Sequence, residues 1–226
     1  MRGDKLDFWL SRGYYRMQQD LFTCRFVPFA DTFYAVLWLR IALANVQYGK
    51  EQRRLIRINE KFRVAIKPFM LSNELEQLYA QYRNAINFDA PDSVESCLLD
   101  GATHTMFDTQ MIEIRDEDRL IAVGIFDNGA RSIAGIMNVY HPDYRKQSLG
   151  KYLMLLKINY ALEQKKLYYY PGYIVINYPK FDYKLYPCQA ATEVYNDTNG
   201  EWLAFSWETV AALSARMTDG NGATPF

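Results

Sequence analysis

The sequence predicts an α+β fold on three observations. The stretch "TQMIEIRDEDRLIAVGIFDNGARSIAGIMNVYHP" reads as three short antiparallel strands, with turns at Asp116-Glu117-Asp118 and at Asp127-Asn128-Gly129-Ala130. A helical pattern follows from Ser148 to about Lys165, with Leu149, Tyr152, Leu153, Leu156 and Tyr160 on one side. A further run rich in β-branched and aromatic residues, "LYYYPGYIVI", comes next. Strands, one helix and then another strand describe a sheet with helices on its faces.

The remaining elements follow in order. Residues 4–17 predict a short helix with Leu6, Trp9 and Leu10 as its stripe and Gly13 as its end. "FYAVLWLRIAL" predicts a strand. From Lys50 the pattern turns helical, with Leu55, Ile58 and Phe62 on one face and Lys50, Arg54, Arg57 and Lys61 on another. Ser72, followed by Glu74 and Glu76, opens a helix whose stripe is Leu75, Leu78, Tyr79 and Tyr82. "DAPDSVESCLLDG" reads as a loop and a short helix, and "VYNDTNGEWLAFSW" as a hairpin turning at Asn199-Gly200. The tail from Arg216 is expected to fray. No internal repeat divides the 226 residues, and a small N-terminal α/β module over 1–67 with a larger domain over 68–226 is the expected organisation.

Composition narrows the function. Half the residues are apolar, and 26 Lys and Arg balance 26 Asp and Glu. The balance is local, however: residues 1–67 hold 13 basic against 6 acidic residues, and residues 68–135 hold 4 against 12. A basic N-terminal part suits phosphate, and an acidic middle suits an amine, although a solvated acidic surface has the same composition. Cys24, Cys97 and Cys188 are far apart and odd in number, so neither a disulfide framework nor a tetrahedral metal site is expected. The opening residues carry no apolar run of signal-peptide length, and Asp31 and Arg40 interrupt the apolar run from Phe29 to Val46. The expectation is a cytoplasmic protein without a membrane span. No cofactor is implied.

The turn "PDYRKQSLGKY" leads from a strand into a helix N-terminus. In GNAT acyltransferases a Gly-rich turn at this place holds a pyrophosphate on backbone N–H groups and the helix dipole. Here the corresponding residues are Arg145, Ser148 and Gly150, with one glycine instead of two, and Ser148 serves equally well as a helix cap.

The longer stretch "YHPDYRKQSLGKYLMLLKINYALEQKKLYYYPGYIVINYPKFDYKLYP" resembles the C-terminal region of the arginyl-tRNA–protein transferase family, including its bacterial leucyl-transferring branch. The matching positions are Pro142, Ser148-Leu149-Gly150, Tyr168-Tyr169-Tyr170, Gly172-Tyr173, Pro179-Lys180, Tyr183-Lys184 and Pro187. "GDKLDFWLSRGYYR", Leu39-Arg40-Ile41, Gln52-Arg53-Arg54, Asn59, Leu78-Tyr79 and Tyr82 extend the resemblance over roughly residues 3–188. It implies a GNAT-like C-terminal domain and aminoacyl transfer from an aminoacyl-tRNA to an amine, either a protein N-terminus or a small molecule. The chain departs from the family pattern in lacking the N-terminal cysteine cluster, in carrying Ala134-Gly135 in place of a serine pair, and in carrying His141 in place of Asp. Two other readings stay open: an N-acyltransferase using an acyl-CoA-type thioester, and a non-catalytic relative that binds tRNA or an N-terminal peptide.

Aminoacyl transfer asks little of side chains. The ester is already activated, and an α-amino group titrates near about pH 8. The protein must bring amine and ester together, stabilise the oxyanion and let the ribose oxygen leave with a proton. Alternation puts Tyr168 and Tyr170 on one face of their strand and Tyr169 on the other. With the resemblance favouring a site here, Tyr168 and Tyr170 are the catalytic candidates and Tyr169 a substrate-binding candidate. Asp182 is a candidate to orient the amine. Gly172 and Tyr183 are substrate-binding candidates, and Lys180 and Lys184 are candidates for phosphate. Arg53, Arg54 and Arg57 form the expected tRNA footprint. His104 and His141 are the only histidines, and both read as structural.

Overall fold

The computed structural model describes residues 1–29 and 32–219. Among these, nine strands form one sheet, and β1 (Tyr15–Met17) with β2 (Asp20–Phe22) forms a separate hairpin. Across the sheet the order is β11 (Glu201–Ala204), β10 (Thr192–Asn196), β4 (Thr32–Ala42), β9 (Tyr168–Val175), β8 (Ser132–Tyr140), β7 (Arg119–Asn128), β6 (Thr109–Asp116) and β5 (Arg63–Pro68). The ninth strand, β3 (Phe26–Phe29), pairs with the start of β4. Every pairing is antiparallel except β8 with β9, which are joined by the helix α5 (Leu149–Glu163). The architecture is α+β, as predicted. The boundary expected at residue 67 falls inside β5, and β4 lies between β9 and β10, so strands from both sides of it share the sheet.

Helices cover both faces because neighbouring residues of a strand point oppositely. On β6, Met111 packs with α3 (Asn73–Ala85) and α4 (Val94–Leu98), while Ile112 and Ile114 pack with α5 and with Leu55 of α2 (Lys50–Asn59). The helix α1 (Gly3–Leu10) sets Leu6 and Leu10 against Phe107, Ala134 and Tyr170. At the other end, Val210 and Leu213 of α6 (Trp207–Asp219) close over Leu37, Leu39 and Ile174.

Several predicted elements need correction. The first helix stops at Leu10, short of its expected end at Gly13, where the chain turns with a φ of +75° against the Tyr195 ring. A Cβ there would sit 2.7 Å from that ring, which only glycine avoids. On α2 the buried positions are Leu55 and Asn59, whereas Ile58 is exposed and Phe62 is buried only after the helix has ended. The start of α3 is as predicted: Ser72 Oγ accepts the Leu75 amide at 3.2 Å. Residues 216–219 of the expected frayed tail belong to α6, and residues 220–226 lie outside the described residues. Among the described residues no helix is long and apolar enough to cross a membrane.

Candidate active site

The site is built where two parallel neighbours part. β8 and β9 pair over three positions, Ser132 with Tyr168, Ile133 with Tyr169 and Ala134 with Tyr170. Beyond these, β8 continues to Tyr140 beside β7, and β9 continues to Val175 beside β4. Both strands are irregular at the point of divergence. Ile125 pairs with Met137 and Phe126 with Gly135, leaving Ile136 as an extra residue in β8. In β9, Tyr170 and Pro171 stand opposite the single residue Arg40. Pro171 has no N–H for a ladder bond, and Gly172 has a φ of +100°, so the Pro-Gly step bends β9 away.

Lys184 fills the β9 side of this wedge. The Val36 amide donates to Arg25 on the β3 side of β4, so by alternation Trp38 turns its own backbone groups to that side as well. Tyr173, opposite Trp38, therefore points its carbonyl away from β4 and into the wedge. Lys184 Nζ donates to that carbonyl at 2.8 Å. Its N–H supplies the donor that a neighbouring strand would have given. It lies so close to Gly172 that a Cβ there would sit 3.2 Å from Nζ. The rings of Tyr173 and Phe181 lie 4.7 and 4.8 Å from Nζ, and burial lowers its pKa to about 7.

At the apex, the Tyr15 hydroxyl donates to the Gly135 carbonyl and lies 3.2 Å from the Tyr170 carbonyl, bridging the last residues before the strands separate. Burial raises the Tyr15 pKa, which keeps the phenol a donor. Tyr169 rises from the opposite face, and a Cβ on Gly135 would meet its hydroxyl at 2.6 Å. A serine at this position, as the resemblance leads one to expect, would require the Tyr169 ring to shift. Tyr183 stands at the mouth, 48% exposed, with its ring 5.9 Å from Lys184 Nζ. Tyr82 meets Tyr140 edge-on at 5.2 Å.

The other predicted residues scatter around the wedge. Tyr168 and Tyr170 share a face, as alternation requires, but that face is covered. Tyr170 packs under Leu6 and Leu10 and edge-on to Trp202 at 5.6 Å, while Arg40 lies over the Tyr168 ring at 4.0 Å. Burial pushes Tyr170 up to about 12. The cleft therefore opens along the edge of β9 and not on the face carrying Tyr168 and Tyr170. Asp182 is half-buried with its pKa raised by burial, and Lys180 is exposed with Nζ 4.0 Å from the Phe88 ring. Before α5, residues Pro142–Gln147 form a 3-10 turn carrying the exposed Arg145 and Lys146. Ser148 adopts a left-handed conformation with a φ of +48°, and its side chain does not cap α5. Gly150 lies against the Tyr140 ring, 3.3 Å from where its Cβ would be.

Arg53, Arg54 and Arg57 are exposed on α2, which is tied to the site at both ends. Gln52 Nε2 donates to the Tyr186 carbonyl at 2.6 Å, and the buried Asn59 donates to the Gln147 carbonyl at 3.0 Å. His141 is buried and accepts the Asp143 amide through Nδ1 at 3.2 Å, and His104 is exposed. Cys24 and Cys97 are half-buried and Cys188 is buried. Among the described residues no three His, Cys, Asp or Glu gather as metal ligands.

Two contributors escaped the sequence reading. Tyr15 stood within "GYYR" with no role assigned. Lys157 is fully buried within α5 and donates to the carbonyls of Ile125 at 2.8 Å and Met137 at 3.1 Å and to Asn138 Oδ1 at 2.8 Å. It satisfies the carbonyls that the β8 bulge removes from the ladder. A lysine amid Leu155, Leu156, Ile158 and Ala161 was the available signal.

The model of the family described as "Arginine-tRNA-protein transferase, C terminus" matches residues 74–189, which include β8, α5, β9 and Lys184. The chain belongs to this family. Among curated relatives, an aspartate/glutamate leucyltransferase of Leptospira interrogans is 28% identical over 166 residues, covering 70% of this chain and 64% of its own. One of Saccharophagus degradans is 27% identical over 186 residues, covering 79% and 75%. The chain thus spans slightly less than two thirds of the Leptospira relative. Among solved structures, the C-terminal domain of a putative lysylphosphatidylglycerol synthetase from Agrobacterium fabrum is 10% identical with a TM-score of 0.49, covering 85% of this chain and 69% of that one.

Proposed function

We propose that this chain transfers an aminoacyl group from a charged tRNA to the α-amino group of a protein N-terminus, with the ester held in the wedge between β8 and β9. The observation that carries the reading is the family match, which takes in both strands that form the wedge. The names of the curated relatives make leucine the first amino acid to test and an N-terminal Asp or Glu the first acceptor. Charged tRNA and new protein N-termini place the reaction in the cytoplasm.

The basic stripe Arg53, Arg54 and Arg57 takes tRNA phosphates. Arg145, Lys146 and the first amides of α5, at Ser148 to Gly150, take phosphates nearer the 3′ end. Lys180, outside the mouth, is a further phosphate partner. The ester carbonyl then enters the wedge, where strand-edge amides of β8 beyond Ala134 stabilise the oxyanion. Tyr183 and Gly172 line the entry, and Asp182 orients the incoming amine. Tyr168, Tyr169 and Tyr170 act by fixing β9 and the apex. The acidic surface contributed by residues 68–135 suits an approaching ammonium.

The test is a transfer assay. tRNA charged with radiolabelled leucine, and separately with arginine, is incubated with peptides that differ only in the first residue. Label recovered in the peptide as an α-amide is the expected result. Absence of label with every charged tRNA and every peptide defeats the proposal, and label appearing from an acyl-CoA instead redirects it to thioester chemistry.

A further inference from the structure

Lys184 was expected to meet phosphate, but its placement suits a different task. Its Nζ is turned inward, away from the exposed Lys180, and sits in the gap that β8 leaves beside β9. Its one hydrogen-bond acceptor among the described residues is the Tyr173 carbonyl, whereas an ammonium has three donors to satisfy. Resting on the aminoacyl-transfer reading, we propose that Lys184 is the base of the reaction, taking a proton from the attacking amine and returning it to the departing ribose oxygen.

The step balances. The neutral α-amine forms a bond to the ester carbonyl carbon as the carbonyl π pair moves to oxygen. The surplus N–H proton passes to Lys184 Nζ. The oxyanion then collapses, the carbon–oxygen bond to the ribose breaks, and Lys184 delivers the proton to that oxygen. An amide and a tRNA with a free hydroxyl result, and Lys184 is neutral again.

The surroundings fit both states of such a base. Desolvation favours the neutral amine at rest, with one N–H on the Tyr173 carbonyl and its lone pair free. Once protonated, Nζ faces the rings of Tyr173, Phe181 and Tyr183, at 4.7, 4.8 and 5.9 Å, which stabilise a cation. The ionisable groups facing it are phenols: Tyr173 from β9 and Tyr183 from its own turn, with Tyr15 and Tyr169 behind them. The pKa of all four is shifted upward from the ordinary phenol value, so they remain uncharged while Lys184 titrates.

Two measurements test this. In the first, the Nζ nitrogen shift of the full-length wild-type chain, labelled with 15N-lysine, is followed between about pH 6 and 9, where ordinary lysines stay charged. A resonance titrating in this window, absent from Lys184→Met, is expected. An Nζ that stays charged throughout overturns the proposal without reference to activity. In the second, kcat/KM for transfer is measured against pH for wild type, Lys184→Met and Lys184→Arg, with tRNA affinity measured alongside. Both variants are expected to lose about 100-fold or more, while tRNA affinity holds. The wild-type acid limb should steepen towards two protons, the acceptor amine and Lys184, and fall to one in the variants. Arginine preserves a cation but gives up no proton near neutrality, so rescue by Lys184→Arg would show a charge role and overturn the base. Wild type without transfer would overturn the aminoacyl reading and the base together, whereas transfer with arginine rescue would overturn only the base.

Discussion

Replacing Lys157 by methionine keeps an unbranched side chain one atom shorter and removes its three hydrogen bonds. The carbonyls of Ile125 and Met137, which lie at the β8 bulge, lose their donor, and so does Asn138 Oδ1. An orphaned buried acceptor costs about 1–3 kcal/mol. Part of this is offset because the variant no longer desolvates an amine, leaving a net loss of about 2–4 kcal/mol. The pH dependence provides a second handle. Burial lowers the folded-state pKa of Lys157 to about 7, against an ordinary value of 10.5. Between these values the unfolded chain binds the proton more readily than the fold, so wild-type stability rises with pH across that window. From pH 7 to 9 this rise amounts to about 2 kcal/mol for one such group, and the methionine variant lacks it. Urea unfolding of both proteins at the two pH values measures the gap, which should widen by that amount at the higher pH. A variant as stable as wild type, or a gap that does not change with pH, refutes the reasoning.

Three other substitutions probe the site's supports. Gly135→Ala should lower the melting temperature, since its Cβ meets the Tyr169 hydroxyl at 2.6 Å, and Tyr169→Phe in the same chain should recover most of the loss. Arg16 donates to Asp127 at 2.8 Å in a pair almost wholly out of solvent, so Arg16→Met, by stranding the carboxylate, should cost about 3–5 kcal/mol in chemical denaturation. Substituting Arg53, Arg54 and Arg57 together by alanine should leave stability unchanged and weaken tRNA binding. Its salt dependence, as the slope of log affinity against log salt, should become shallower by about 2–3, whereas an unchanged slope would remove these arginines from the interface.

The α+β class was legible because the period-two strands and α5 announce themselves locally. The order of the sheet was not. β4 lies between β9 and β10, a pairing made across more than a hundred residues, and nothing in "FYAVLWLRIAL" names its neighbours. In the site, the Pro-Gly step within "YYYPGY" marked a break in β9, but that it opens a wedge depends on the partner bulge at Ile136. The tyrosines drew attention by number, yet Tyr170 is buried under α1 and the half-buried Tyr168 lies under Arg40, and Tyr15 holds the apex from far away in sequence. Lys184 and Lys180 look alike in "PKFDYK". Only the 3-10 turn, which leaves Lys180 in solvent and turns Lys184 inward, tells the two apart.

The most direct test of the account is to find where the aminoacyl group sits. tRNA charged with a photoreactive amino acid would be bound to the full chain, irradiated and digested, and the attached peptides sequenced by mass spectrometry. The account predicts attachment within Gly135–Tyr140 of β8 and Gly172–Lys184 of β9 and the turn after it. Attachment concentrated in the 470 Å³ cavity lined by Arg12, Cys24, Arg25 and Asp197, on the far side of β4, would contradict it.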